Sequence, residues 1–195
     1  MKRILFFISI IIMLAFTNGD ATLKSTSVVI TPESSLLVRG TTNINTFTCE
    51  FNINKFKNPI KVIYHIEDDK MIFDKTALIL DSDCFDCGGK AINNDFKKIL
   101  KTNKYPQILL YLNEISLFDD ESDVKASIDI EIAGIKETYK IPVKIKKNNE
   151  ILITGGLAIS LTDYNLVAPK KLLGLISVND KIQIYFQLLV KEFQD

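Results

Sequence analysis

Tryptophan is absent from this 195-residue chain, and histidine occurs once, at position 65. A single imidazole gives Ser-His-Asp or Cys-His catalysis little to work with, and it excludes metal sites built on several histidines. Net charge is missing too: 24 basic residues balance 24 acidic ones. No field therefore draws the chain toward nucleic acid, which is excluded as a partner. No apolar run reaches the roughly 20 residues needed to cross a hydrocarbon core as a helix. Internal repeats and low-complexity tracts are also lacking.

What is present begins with a leader. Lys2 and Arg3 precede an almost unbroken apolar run from Ile4 to Phe16, with small residues at Gly19 and Ala21. This is the charged start, apolar middle and small-residue cleavage site of a secretory signal peptide. The expected division is a leader over 1–21 and one domain over 22–195. Roughly 175 residues suffice for one sizeable core and are tight for two. No cysteine lies near the cut, so the exported product is expected to be soluble, without a lipid-modified start or a membrane span. Losing Lys2 and Arg3 leaves it slightly acidic.

Period two dominates the rest of the chain and specifies strands with one dry and one wet face. Phe47, Cys49, Phe51 and Ile53 alternate with Thr48, Glu50, Asn52 and Asn54, and Ile128, Ile130 and Ile132 with Asp129 and Glu131. Ile141, Val143 and Ile145 repeat the pattern, as do Ile182, Ile184, Phe186, Leu188 and Val190. Turn residues fall between such runs at Lys57-Asn58-Pro59, Asp68-Asp69, Asp119-Asp120, Lys147-Asn148-Asn149 and Asn179-Asp180, spaced as in a meander. One segment has helical spacing: Ile92, Phe96, Ile99 and Leu100 predict a helix over Ala91–Lys104, stopped ahead of Pro106. A strand over Gln107–Leu112 follows. An all-β domain must bury the common dry face, in a sandwich or a closed barrel, and periodicity does not choose between them.

The reactive residue types lack the company their chemistry needs. His65 shares its strand face with Lys61 and Ile63, the setting of a surface-strand histidine rather than a catalytic base. Cys84 and Cys87 have redox-motif spacing, but a thioredoxin-like site places that motif at a helix start in an α/β pattern, which is not seen. An exported protein meets an oxidising compartment, so two of Cys49, Cys84 and Cys87 are expected to pair. Asp119, Asp120, Glu121 and Asp123 lack the glycine and distal glutamate of a calcium loop and read as a solvated hairpin tip; Asp81, Asp83 and Asp86 are discounted likewise. Gly88-Gly89-Lys90 lacks phosphate-loop spacing. No metal or cofactor is expected.

Four segments, in order, resemble the YceI-like proteins of the bacterial periplasm. They are Leu37-Val38-Arg39-Gly40-Thr41-Thr42-Asn43 running into Phe47-Thr48-Cys49; Cys87-Gly88-Gly89 leading through Ile92-Asn93-Asn94-Asp95-Phe96 to Tyr105-Pro106-Gln107-Ile108; Ala133-Gly134-Ile135-Lys136; and Leu161-Thr162-Asp163-Tyr164 with Pro169 and Gly174. Their spacing spans nearly the whole domain. The resemblance implies a periplasmic location and an antiparallel eight-stranded lipocalin-like barrel with one inserted short α-helix. It also implies a polyisoprenoid or fatty-acyl ligand inside, and it favours a Cys49–Cys87 disulfide, with Cys84–Cys87 still open. Such a bridge would close a loop of about 40 residues and stabilise by ~3–4 kcal/mol on the chain-entropy model.

The apolar face is the remaining functional candidate: Leu78, Leu80, Phe96, Leu100, Ile108, Leu110, Leu112, Ile130, Ile184, Phe186 and Leu188. Periodicity reports that these are buried, not whether the space between them is empty. Three functions stay open. The favoured one is a non-catalytic lipid carrier or scavenger, its ligand's tail entering beneath the helix and its headgroup met by Arg39, Lys90, Lys170 or Lys171. The others are a structural or protein-interaction domain with a filled core, and a thiol-redox protein using Cys84 and Cys87.

Overall fold

The computed structural model describes residues 22–116, 123–171 and 175–193. The leader over 1–21 and the acidic Asp119, Asp120 and Glu121 lie outside them, as do the side chains of Asp123, Lys170 and Lys171.

Strands form where alternation is written. β1 (Lys24–Ile30), β2 (Ser35–Thr41), β3 (Thr46–Phe51), β4 (Ile60–Glu67), β5 (Lys70–Phe73), β6 (Ala77–Asp81) and the short β7 (Phe85–Asp86) precede helix α1 (Lys90–Ile99). After it come β8 (Gln107–Ser116), β9 (Asp123–Ile132), β10 (Ile135–Lys147), β11 (Ile151–Ser160), β12 (Lys170–Lys171), β13 (Ile176–Ser177) and β14 (Lys181–Glu192). Hydrogen bonding runs β1–β4–β5–β8–β9–β10–β11–β14, and β14 pairs with β1 again. Eight antiparallel strands thus close into a ring, the barrel the family resemblance implied, in which β1 and β14 pair with each other instead of standing as the two edges of an open sheet.

Two long strands each serve two partners. β14 pairs with β2 through Gln183–Gln187 and with β1 through Val190–Glu192. The chain between β1 and β2 turns at Thr31–Ser34, where Pro32 has no N–H to give a ladder; the Ser34 amide donates to the Thr31 carbonyl (3.1 Å). β8 likewise pairs with β6 through Gln107–Tyr111 and with β5 through Glu114–Ser116. β2 carries β3 and β7 on its far edge.

Two elements depart from the sequence expectation. The helix ends at Ile99 rather than Lys104. Lys101 takes a left-handed φ of 55°, and Thr102 turns back so that its N–H and its Oγ1 both donate to the Lys97 carbonyl at 3.0 Å; these bonds cap the helix end. The strand from Gln107 runs to Ser116 rather than stopping at Leu112. Its alternation fails at Asn113 because the register against β9 shifts between Leu112 and Glu114. The extra residue returns Ile115 to the inner face, opposite Ala126. A further turn passed unrecognised: Ala133 and Gly134, both with positive φ (52° and 79°), make the two-residue β9–β10 hairpin.

The inner faces meet in three clusters. The first centres on Phe51, Phe85, Leu80 and the cysteines 49 and 87. The second gathers Leu100, Ile130, Ile159, Tyr164 and Ile182. The third joins Val124, Ala126, Ile141 and Val143 across β9 and β10.

Candidate functional site

Strand pairing fixes which side chains share the barrel interior. Directly opposed residues lie on one face, so Leu157, Ile184, Val38 and Cys49 form one inward row across β11, β14, β2 and β3. Gly155, Phe186 and Leu36 form a second row, with Val143 and Val124 continuing it. All eleven candidate residues point into these clusters. Leu78 and Leu80 come from β6; Ile108, Leu110 and Leu112 from β8; Ile130 from β9; and Ile184, Phe186 and Leu188 from β14. Phe96 and Leu100 descend from α1 and its last turn.

Burial divides them. Leu80, Leu100 and Ile130 are fully buried, at 3%, 7% and 1% exposure, whereas the other eight keep part of their surface accessible. On β14 the outward residues Gln183, Tyr185 and Gln187 are exposed, and the inward Ile184, Phe186 and Leu188 are half-buried. An inward side chain of the ring is exposed either to the interior or through the openings at its end and in its wall. The inner wall is therefore less tightly filled at β8 and β14 than at the buried clusters.

Two glycines shape that wall, and neither Gly155 nor the packing role of Gly40 was expected from the sequence. A β-carbon at Gly155 would lie 2.5 Å from the Cζ of Phe186, its cross-strand partner; one at Gly40 would lie 2.2 Å from the Cζ of Phe47, again directly opposite. The tip of each ring fills the space that a β-carbon on the glycine would take. Because the neighbour has no side chain, the ring tip packs close against the glycine's strand.

Helix α1 covers one opening. Beneath it a cavity of about 160 Å³ is lined by Phe47, Cys49, Ile92, Phe96 and Ile99, with Pro169 and Val178 on the far side. That space accepts one small apolar group, since an engineered cavity of about 150 Å³ holds a benzene. The helix is fixed by a disulfide between Cys49 on β3 and Cys87 and by the tilted contact of the Phe85 and Phe96 rings (5.1 Å between centroids). Asn93 adds a polar lock, its amide oxygen accepting from the Cys87 N–H (2.6 Å) and its Nδ2 donating to Asp86 (3.0 Å). The bond from Asn93 Nδ2, with one from the Gly88 N–H, holds the Asp86 carboxyl below its usual range. A second cavity, of about 270 Å³, opens through the wall between β4 and β6.

The thiol, imidazole and phenol groups are placed as follows. Cys87 is bonded to Cys49, and the free Cys84 sits in a 3₁₀ turn (Ser82–Cys84), where burial, then the charge of Asp81, pushes its thiol up. That is the reverse of an activated thiolate. His65 is half-buried on β4, its Nε2 3.9 Å from Glu67 and its Nδ1 without a partner. Arg39 is exposed and paired with outward Gln183, so it faces away from the interior, and Lys90 is exposed at the helix start. Tyr164 is fully buried, and neither its hydroxyl nor that of Tyr139 has a partner in bonding geometry, although the two lie close enough to act on one another. Burial raises both phenols. Among the described residues, no group of three His, Cys, Asp or Glu side chains could hold a metal ion, and no helix is long and apolar enough to cross a membrane.

Comparison with known proteins gives the same architecture. The family model described as the YceI-like domain matches residues 64–190. The BcnA structure from Burkholderia cenocepacia is similar at 21% identity and a TM-score of 0.63, over 82% of this chain and 96% of that one. A structure described as a polyisoprenoid binding domain from Saccharophagus degradans, implicated in plant cell wall breakdown, is 13% identical with a TM-score of 0.60, over 86% and 99%. The YCEI protein of Campylobacter jejuni is 14% identical with a TM-score of 0.55, over 72% and 84%. No curated protein sequence matches the chain.

Proposed function

The chain belongs to the YceI-like domain family, and from that premise we propose that it binds a long apolar chain, a polyisoprenoid or a fatty acyl group, along the inside of its barrel. The protein acts as a non-catalytic carrier or scavenger, exported to the periplasm by its leader. The observation that carries this reading is the half-buried inward wall of Leu110, Leu112, Ile184, Phe186 and Leu188 on a closed ring. A core meant only to hold the fold together would bury those side chains as it buries Ile130. The polyisoprenoid binding described for the Saccharophagus degradans domain supports the same reading.

Binding on such a wall is passive. Each methylene withdrawn from water contributes about 0.8 kcal/mol, so affinity rises with chain length. The cavity under α1 takes the leading end of the tail, and the rest lies along the inward rows between β8 and β14. Nothing in this needs a nucleophile, which accords with the raised thiol of Cys84 and the isolation of His65.

The test is native mass spectrometry of the protein purified from the compartment to which it is exported, followed by solvent extraction. A bound mass of hydrocarbon character is expected. A ligand-free mass that stays unchanged after incubation with long isoprenoids and fatty acids would overturn the carrier and leave a packed interaction domain as the better account.

A further inference from the structure

The second opening in the wall has a different chemistry from the first. Along Ile60–Tyr64, β4 pairs with β1 by one edge, but its other edge meets β5 only from Tyr64 onward. The chain then breaks over Asp74–Thr76, with Lys75 at a φ of 52°. The Asp74 N–H donates to the Ile63 carbonyl (2.8 Å), and the Thr76 hydroxyl accepts from the Ile63 N–H (3.3 Å). Past that point β6 follows β8, and no ladder joins it to β4. Two strand edges therefore face each other across a slot of about 270 Å³.

The inner side of the slot is apolar: Phe56, Ile60 and Leu78 line it, and all three pack in the first core cluster that fills part of the barrel. Its outer side carries Lys57, Lys61 and Lys75, all exposed, and no carboxylate lines it. Lys57 lies 3.8 Å from Asp81, with the lysine mostly in solvent and the carboxylate, which also accepts from Gln107, partly so. Such a surface pair contributes about 0–1 kcal/mol and yields readily to a better-placed anion. The opening beneath α1 is the reverse case, since Asp95 lines it and no described lysine or arginine does.

We propose that this lysine-rimmed slot between β4 and β6 receives the anionic headgroup, a carboxylate or a phosphate, of the lipid whose tail lies in the barrel. Three ammonium groups on flexible stems suit an oxyanion whose exact shape is not prescribed, and the unpaired edges of β4 and β6 offer backbone N–H donors beside them. Phe56, Ile60 and Leu78 take the first carbons of the tail. The inference rests on the lumen-binding reading and specifies which lipids it favours.

The test compares three lipids with one and the same long tail: a fatty acid, a monoalkyl phosphate and a fatty alcohol. Their dissociation constants are measured for the wild type, for Lys57→Gln/Lys61→Gln/Lys75→Gln, and for the outer-face control Lys125→Gln/Lys140→Gln/Lys146→Gln. Acid and phosphate are expected to bind the wild type about tenfold or more tighter than the alcohol, with the gap narrowing in salt. The slot variant should bind all three as the wild type binds the alcohol, and the control should keep the preference. A preference of the acid alone or the phosphate alone identifies which headgroup the slot takes. Equal binding of all three by the wild type, or a preference that survives in the slot variant, overturns the slot and leaves tail binding standing. Failure of the wild type to bind any of them overturns both.

Discussion

At position 155 a β-carbon has no room that Phe186 does not already occupy. Gly155→Ala should therefore turn the ring off the wall and into the interior at little cost to the strand, because the obstructing atom is the far end of a side chain. The expected result is a loss of about two or three methylene contacts with a long tail, roughly 2 kcal/mol or some thirtyfold in Kd, with a smaller effect on short chains. A chain-length series on both proteins checks it. Tyr164 offers a contrasting case, a hydroxyl fully buried with no partner in bonding geometry. Tyr164→Phe removes a group whose burial is uncompensated, so stability should be unchanged or rise by up to about 1 kcal/mol in urea unfolding. A loss larger than that would mean the hydroxyl is bonded, with Tyr139 the partner. The Gly40–Phe47 and Gly155–Phe186 pairs were half legible beforehand. Alternation put both phenylalanines on the dry face, and glycine within a strand marks a close approach; which ring approaches depends on cross-strand register, which a single strand does not contain.

Helix α1 is short, ten residues, and a helix of that length is marginal alone. Its place depends on the Cys49–Cys87 bridge, the Phe85–Phe96 ring contact and the Asp86–Asn93 lock. Replacing both bridge cysteines by serine opens a loop spanning 38 positions and should cost ~3–4 kcal/mol in denaturant unfolding. The cavity beneath the helix should loosen with it, so tail affinity falls together with stability. The Asp86 lock predicts a pH dependence. Its folded pKa lies below the ordinary value, so its contribution is complete above the unfolded pKa near 3.9 and disappears as pH falls through the lower folded value. Urea midpoints of wild type and Asp86→Asn should differ at neutral pH and converge in acid. Helical spacing over Ile92, Phe96, Ile99 and Leu100 announced the helix from the sequence. Its early end did not show, because Lys101 and Thr102 are ordinary helix residues until the Thr102 hydroxyl and amide turn back to the Lys97 carbonyl.

For the whole molecule, a ligand enclosed by the ring binds the folded chain alone. At a free concentration a hundredfold above Kd it should add about 2.7 kcal/mol, a rise of roughly 5–10 °C in Tm for a domain of this size. A thermal scan against lipid concentration checks this, and a flat response would count against an internal site. By itself the sequence determined that the chain is all-β, where several of its strands and the helix after Cys87 lie, and which side of those strands is dry. Those are local properties, set by side-chain period and turn chemistry, and they survive being read one segment at a time. Closure of the ring through β1 and β14, the fork of β14 between two partners and the slot between β4 and β6 were decided only by the tertiary structure. Each depends on pairing between strands far apart in the chain, and periodicity cannot report which edges meet or whether the dry faces leave space between them.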